Sequence, residues 1–116
     1  MTIKELESNL NQVVKDNNAV KIRVEEAKKD SMSFRHKNPR EVVVKSIAAG
    51  SIRIYLDTGK GIKDSLLFSI NPPHENFKSW YVDWDADFGG GDAEMINLYA
   101  DLLKITYTFL KEKENG

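Results

Sequence analysis

The stretch 80–109 reads WYVDWDADFGGGDAEMINLYADLLKITYTF, and it joins an aromatic strand to the longest apolar helix of the chain. Successive side chains of a strand alternate between two faces, so the two tryptophans share one face with Val82. Tyr81 and Asp83 share the other face. We therefore expect both indole rings to face a core, and the tyrosine and aspartate to face outward.

Three consecutive glycines, Gly89, Gly90 and Gly91, follow this strand and break regular structure, because glycine favours turns and costs backbone entropy elsewhere. Asp92 comes next as a predicted helix N-cap. From there, apolar residues recur three or four positions apart, a spacing that predicts a helix buried along much of its girth. The positions of this stripe are Met95, Ile96, Leu98, Tyr99, Leu102, Leu103, Ile105, Thr106, Phe109 and Leu110.

Two helical segments bracket a series of strand-like segments. Thr2 and Glu5 have the spacing of a capping box, and the residues after them repeat at helical period. Between residues 20 and 84, apolar and polar residues alternate instead, with proline or glycine at the breaks. The sequence therefore predicts a single α+β domain, residues 1–116, in which an N-terminal and a C-terminal helix pack on one face of an antiparallel sheet, a meander of five or six strands.

The same periodicity predicts which side chains are buried. Strands that follow one another along the chain are expected to pair, so residues 32–36 should form a hairpin with residues 20–24. Leu102 lies in the middle of the C-terminal stripe, and its truncation to alanine should remove core volume. The predicted core consists of Leu6, Leu10, Val13, Val20, Ile22, Val24, Phe34, Val42, Val44, Ile52, Ile54, Leu66, Phe68, Trp80, Val82, Trp84, Leu98, Leu102, Ile105 and Phe109.

The composition excludes several kinds of site. A chain of 116 residues is long enough to build a core without covalent staples. It contains no cysteine, which excludes disulfides, thiolate nucleophiles, iron–sulfur clusters and cysteine-ligated zinc. The first residues are charged and amphipathic, and no apolar run reaches membrane-spanning length. We therefore expect a cytoplasmic protein without a cofactor and without membrane association.

The net charge of −1 conceals an uneven distribution of charge. Residues 19–46 hold eight basic and four acidic groups, whereas residues 47–116 hold seven basic and eleven acidic groups. Such asymmetry bears on the choice of partners more than on the fold. The sequence thus offers two surfaces of opposite sign as candidate binding sites.

Five of the eleven later acidic groups lie between Asp83 and Glu94, with no lysine or arginine among them. Concentrated carboxylates speed association with a basic partner, and glycines allow its close approach. The favoured function is a small, non-catalytic interaction protein, such as an inhibitor, an immunity protein or an accessory factor of a phage or mobile element. Its binding site is an acidic corner built from Tyr81, Asp83, Asp85, Asp87, Gly89, Gly90 and Gly91. A simpler structural alternative is that these carboxylates cap the C-terminal helix and solvate a strand end.

A basic strip on the outer sheet face supports a different class of function. If the helices cover one face, alternation places a set of cations and one tyrosine on the other. Such a strip could follow the backbone of single-stranded nucleic acid or RNA, with the tyrosine stacking on a base. The alternative is an ordinary solvated sheet face. The residues of the basic strip are Lys21, Arg23, Arg35, Lys37, Lys45, Arg53 and Tyr55.

The acidic spacing also resembles a calcium loop. Counting Asp83 as position 1 places Asp85 at 3, Asp87 at 5 and Glu94 at 12, as in an EF-hand. However, Phe88 occupies position 6, where the sharp turn of that loop needs glycine, and a strand rather than a helix precedes it. Calcium binding is therefore the minor alternative, and no metal is the favoured expectation.

Catalysis is not predicted. A catalytic carboxylate such as Asp83 or Asp85 needs a second group with an opposed role, and the sequence nominates none. His36 and His74 lie far apart in the sequence, and neither is near a nucleophile motif. The segment 58–61, Thr-Gly-Lys-Gly, lacks the spacing and the following helix of a P-loop. The chain is therefore predicted not to be an enzyme.

Overall fold

The computed structural model describes residues 1–16, 21–38, 41–57, 65–84 and 93–115, with the side chains of all these residues except 16, 33–38, 41–46 and 65. Within these ranges the chain is an α+β fold that begins and ends with a helix, as predicted. The elements in order are α1 (Ile3–Asp16), β1 (Lys21–Glu26), β2 (Ser31–Asn38), β3 (Glu41–Ile47), β4 (Ile52–Asp57), β5 (Ser65–Asn71), β6 (Tyr81–Trp84) and α2 (Ala93–Asn115).

The start of α1 confirms the predicted capping box. The backbone N–H of Glu5 donates to Thr2 Oγ1 at 3.1 Å, and the backbone N–H of Thr2 donates to Glu5 Oε1 at 3.0 Å. Two orphan donors of the first turn are satisfied in this way. The bond from the Thr2 backbone also lowers the pKa of the Glu5 carboxyl below its usual value.

The sheet differs from the predicted meander. Its four strands lie in the order β1-β4-β5-β6, all antiparallel, while β2 and β3 pair with each other in a separate two-stranded sheet. The predicted hairpin between the first two strands is therefore wrong. β1 pairs with β4 because that register sets Val24 opposite Ile54 on one face and Glu25 opposite Arg53 on the other.

The β2–β3 hairpin leaves the main sheet at one end of the β1–β4 pair. The backbone N–H of Ala27 donates to the carbonyl of Ser51, and that of Gly50 donates to the carbonyl of Ala27, both at 2.8 Å. These bonds close the base of the β2–β3 hairpin. They bring the start of β4 next to the end of β1, with which β4 pairs. Gly50 has a φ of 88°, a left-handed conformation that glycine adopts without strain.

The core lies between the two helices and one face of the main sheet. Both helices contribute to a single buried cluster with β1, β4 and β5. Its members are Leu6, Leu10, Val14, Ile22, Ile52, Ile54, Leu56, Leu67, Phe68, Ile70, Leu98, Leu102 and Phe109. Most predicted core residues of the helices and of β4 are among them. In these elements the helical or strand period by itself determines which side chains face the core.

A β-bulge in β5 corrects the predicted core. The register shifts between Ile54, which lies opposite Phe68, and Tyr55, which lies opposite Leu66. The extra residue, Leu67, is fully buried, while Leu66 is only partly buried. A bulge places two consecutive residues against one on the partner strand, so strict alternation fails here.

The remaining predicted core positions fall into two groups. One group packs against the core but is only partly buried: Val13, Val24, Trp80, Val82, Trp84 and Ile105. The other group lies outside the described residues or side chains: Val20, Phe34, Val42 and Val44.

Side chains of α1 cover the outer edge of β1. The Asn11 side-chain amide donates to the Ile22 carbonyl and accepts from the Ile22 N–H, both at 2.9 Å. Glu7 Oε2 accepts from the Val24 N–H at 2.8 Å. An uncovered edge strand is a template for pairing with another chain, and these bonds close that edge. β6 forms the opposite end of the sheet.

α2 is buried on a narrower face than predicted. Leu98, Leu102, Thr106 and Phe109 are buried, but other members of the predicted stripe are exposed, with Ile96 60% accessible. Only one side of this helix meets α1 and the sheet, so apolar residues on its flank reach solvent. None of the described helices combines the length and hydropathy that crossing a membrane requires.

Candidate partner-binding site

β6 presents the first residues of the acidic corner on the outer face of the sheet. Antiparallel pairing sets Tyr81 opposite Asn71 and Asp83 opposite Ser69. The alternate residues face the core, since the Trp84 ring lies 5.0 Å from that of Phe68. The predicted alternation in this strand is therefore confirmed.

The aromatic strand is tied to α2 through its second tryptophan. The ring centroids of Trp84 and Tyr99 lie 5.6 Å apart in an edge-on arrangement. Burial raises the pKa of the Tyr99 hydroxyl. This contact fixes the end of β6 from which the acidic segment continues.

Only part of the acidic corner is described. Tyr81 and Asp83 lie on β6, whereas Asp85, Asp87, Gly89, Gly90 and Gly91 lie outside the described residues. Glu94 is an exposed residue of the first turn of α2. The described part of the acidic corner therefore lies on β6.

An aromatic cluster, formed by His74, Phe77 and Tyr81, adjoins the acidic corner. The Phe77 and Tyr81 rings are stacked, with centroids 4.5 Å apart and an interplanar angle of 22°. The His74 ring packs edge-on against both, at 5.5 Å and 5.6 Å. Phe77 is 52% exposed although it belongs to this cluster.

A tight turn presents the aromatic cluster. Pro72 and Pro73 follow β5 and end its pairing, because proline has no N–H to donate to a ladder. The backbone N–H of His74 then donates to the Phe77 carbonyl at 2.8 Å, and the N–H of Phe77 donates to the His74 carbonyl at 3.2 Å. The paired backbone hydrogen bonds therefore hold the rings of His74 and Phe77 side by side.

Hydrogen bonds set the direction of the Tyr81 hydroxyl. The backbone N–H of Asn76 donates to His74 Nδ1 at 3.2 Å. In a neutral imidazole whose Nδ1 accepts, Nε2 carries the hydrogen, so Nε2 donates to Tyr81 Oη at 3.1 Å. The hydroxyl hydrogen of Tyr81 is then directed away from His74 and is available to another acceptor.

A cleft of about 520 Å³ lies beside the aromatic cluster, between the base of the β2–β3 hairpin and the end of β5. Its walls combine apolar groups with several neutral polar groups. The lining residues are Asp30, Ser31, Met32, Ile47, Ala48, Ser51, Asn71, Pro72, His74 and Tyr81.

Ser51 is an unusual member of the cleft wall. It is 1% exposed, and its Oγ is buried without a hydrogen-bond partner among the described residues. Its backbone is fully engaged, since its N–H donates to Ala48 and its carbonyl accepts from Ala27. Buried hydroxyls normally have a partner, so Ser51 Oγ is an exception among the described residues.

Sequence reasoning missed the cleft. His74 was considered only as a catalytic histidine, for which the sequence nominates no nucleophile partner, and Ser51, Asn71 and Phe77 were not predicted as site residues at all. A double proline followed by an aromatic-rich turn is the one local signal that points to this region. The cleft itself joins segments more than 50 residues apart in the sequence, from Asp30 to Tyr81.

The outer face of β1 and β4 carries four residues of the basic strip. Glu25 accepts from the Arg23 guanidinium at 2.5 Å and also from Arg53. The Arg23 guanidinium lies 4.0 Å from the centroid of the Tyr55 ring, and Lys21 is paired in register with Asp57. These cations are therefore accompanied by carboxylates on the same face. The hydrogen bond from Arg23, with the charge of Arg53, lowers the pKa of the Glu25 carboxyl.

The other three residues of the basic strip belong to a different sheet. Arg35 and Lys37 lie on β2 and Lys45 lies on β3, and their side chains are outside the described part of the structure. The seven residues therefore do not follow one another across a single sheet, which corrects the predicted layout. Nucleic-acid binding by these residues stays a prediction.

The calcium alternative also stays a prediction. Of its proposed ligands, Asp83 and Glu94 are described, whereas Asp85 and Asp87 are not. The part of the chain that the structure describes contains no group of three or more histidine or carboxylate residues placed to hold a metal ion.

The chain matches no protein-family model, no curated protein and no solved structure. Function must therefore be inferred from its own residues. Two features are candidates for a binding surface: the exposed Phe77 ring stacked on the partly buried Tyr81 ring, and the adjoining cleft.

Proposed function

We propose that this protein is a non-catalytic interaction protein that binds a protein partner with a basic surface. Its contact surface consists of the aromatic cluster and the acidic corner. The observation that carries the proposal is the stacking of Phe77, which is 52% exposed, on Tyr81, two strand positions before the outward-facing Asp83. A protein of this kind would act in the cytoplasm as an inhibitor, an immunity protein or an accessory factor.

Exposed aromatic rings support such a surface. The residues that contribute most to protein–protein affinity are enriched in tyrosine and other large side chains that desolvate on binding. Here the rings are already ordered by the turn at His74–Phe77 and by their mutual packing. A preordered contact loses less conformational entropy on binding.

The carboxylates add a second contribution. Asp83 begins the acidic corner directly beside the aromatic cluster, and the sequence continues with Asp85 and Asp87. A concentration of like charge speeds association with a partner of opposite charge and disfavours acidic ones. We therefore expect the aromatic rings to supply affinity and the carboxylates to supply selectivity and rate.

The bonding of His74 and Ser51 supports a non-catalytic role. His74 is engaged at both ring nitrogens, by the Asn76 N–H and by the Tyr81 hydroxyl. Ser51 Oγ has no hydrogen-bonded base among the described residues, so nothing there activates it as a nucleophile. The two groups line one cleft without forming a nucleophile–base pair.

The test is affinity capture from the native host, followed by titration of the recovered partner. We expect Phe77→Ala to weaken binding by about tenfold or more, as hot-spot truncations do. Tyr107→Ala is the matched control, because Tyr107 is an exposed aromatic residue of α2, 62% accessible and away from this surface.

A second variant tests the acidic corner. The triple substitution Asp83/Asp85/Asp87→Asn should slow association and reduce its dependence on salt, provided that the melting temperature is unchanged. Equal recovery of the same partners by wild type, Phe77→Ala and the triple variant would show that the surface is not the interface.

A further inference from the structure

The cleft beside the aromatic cluster has the size of a ligand site. Its volume of about 520 Å³ lies in the range of roughly 300–1,000 Å³ that is typical of such sites. A volume of this size accommodates a small molecule or a short peptide segment rather than a folded domain. Met32 and Ile47 form an apolar wall, and Met32 is 59% exposed in the free protein.

Two hydroxyl groups of the cleft, those of Tyr81 and Ser51, can each donate a hydrogen bond to a ligand. Tyr81 accepts from His74 Nε2, which directs its own hydrogen elsewhere. Ser51 Oγ is buried and has no partner among the described residues. An oxygen atom that a ligand brings into the cleft would accept from Tyr81 Oη, and from Ser51 Oγ once that side chain rotates out of its buried position.

The charge of the cleft limits the ligand. Among the described residues that line it there is no lysine or arginine, and Asp30 contributes a carboxylate, one oxygen of which accepts from the Ala49 N–H at 2.8 Å. An anionic ligand would therefore be desolvated without compensation. A neutral carbonyl oxygen attached to an apolar body fits both the donors and the wall.

We propose that this cleft binds an uncharged peptide segment of the partner. A backbone carbonyl of the segment accepts from the Tyr81 hydroxyl and, after a change of rotamer, from that of Ser51. An aliphatic side chain of the segment packs against Met32 and Ile47, and methionine adapts its shape to such a contact. The inference rests on the proposed function in one respect, that the segment belongs to the partner.

The probe is N-acetyl-L-leucinamide, which carries carbonyl groups and an aliphatic side chain without charge. Its binding is followed through the methyl resonances of Met32 and Ile47, with those of Ile3 and Ile96 as references on the helices. For a ligand of this size we expect a dissociation constant on the order of 1–10 mM. The matched probe N-acetyl-L-leucine differs by one negative charge and should bind several-fold more weakly.

Two variants test the hydrogen bonds. Ser51→Ala and Tyr81→Phe should each weaken binding of N-acetyl-L-leucinamide several-fold. Ser51→Ala should leave the melting temperature unchanged or raised, because its hydroxyl makes no hydrogen bond in the free protein. Weaker binding by a variant of undiminished stability separates a ligand contact from a structural role.

Either of two results would overturn the inference: methyl resonances that do not move at the highest probe concentration, or variants that bind as wild type does. The proposed function has its own test in the Phe77→Ala capture. A partner that is lost with Phe77→Ala while the methyl resonances stay silent would refute the peptide cleft alone.

Discussion

At the residue scale, Glu25 links β1 to β4 on the outer face of the sheet. It accepts hydrogen bonds from Arg23 on its own strand and from Arg53 on the next. Its side chain is 42% exposed, so we expect the pairing to contribute less than about 1 kcal/mol. The same contacts lower the pKa of Glu25 from the ordinary value of 4.5.

This lowered pKa makes the contribution of Glu25 dependent on pH. The ionised form is favoured in the folded protein, so the contribution is complete above the ordinary pKa and disappears as the pH falls through the lowered one. Glu25→Gln should therefore be less stable than wild type at neutral pH, with a difference that shrinks as the pH falls below 4.5 and through the lowered pKa of Glu25. Urea unfolding across this range measures it, with Glu26→Gln as the control.

Leu102 offers a second prediction at this scale. Its side chain is fully buried between α2 and the rest of the core. Leu102→Ala should lower the free energy of unfolding by about 2–5 kcal/mol, because it removes apolar contact and leaves a cavity. The matched control is Leu103→Ala, because the neighbouring Leu103 is 37% exposed. This variant should lower the free energy of unfolding much less. Equal losses for the two variants would contradict the orientation of α2.

At the scale of elements, α1 acts as a cover for the edge of β1. Asn11 alone satisfies both the N–H and the carbonyl of Ile22. Asn11→Ala should therefore cost about 1–3 kcal/mol, since it leaves two partly buried backbone groups without partners. Chemical unfolding measures this loss, and Gln12→Ala on the exposed side of α1 is the control.

Opening this edge has a second consequence. An uncovered strand edge pairs readily with another chain. We therefore expect Asn11→Ala, unlike Gln12→Ala, to self-associate at high concentration, which sedimentation or size exclusion would detect. A variant that is monomeric and as stable as wild type would show that α1 is not needed to cover β1.

At the scale of the whole molecule, the β2–β3 hairpin forms a sheet of its own beside the main sheet. The described members of the buried cluster all lie outside this hairpin, and backbone bonds between Ala27, Gly50 and Ser51 close its base. Replacing residues 28–49 by a two-residue turn such as Asn-Gly should therefore preserve the core. Near-UV circular dichroism and cooperative thermal unfolding measure this.

The same deletion should abolish binding in the cleft. It removes Asp30, Met32 and Ile47, which form one wall. We expect the shortened protein to unfold cooperatively yet to show no interaction with N-acetyl-L-leucinamide by calorimetry. Loss of cooperative unfolding would instead show that the hairpin is part of the core.

Much of the fold could be predicted from local sequence because helices and strands have different periods. The capping box at Thr2 and Glu5 marked the start of α1, and alternation placed Trp84 inward and Asp83 outward. These features depend on residues within a few positions of one another. The candidate site was predicted only at Tyr81 and Asp83, since these two lie in such a pattern.

The sequence by itself determined the class of fold, the order of its helices and the faces of β4 and β6. Only the tertiary structure decided that β1 pairs with β4, that Leu67 replaces Leu66 in the core, and that Ser51 meets Tyr81 at one cleft. The physical reason is the distance along the sequence over which each feature is determined. Period is a local property, whereas several strand pairings satisfy the same alternation, and the choice among them depends on burial and charge summed over distant segments.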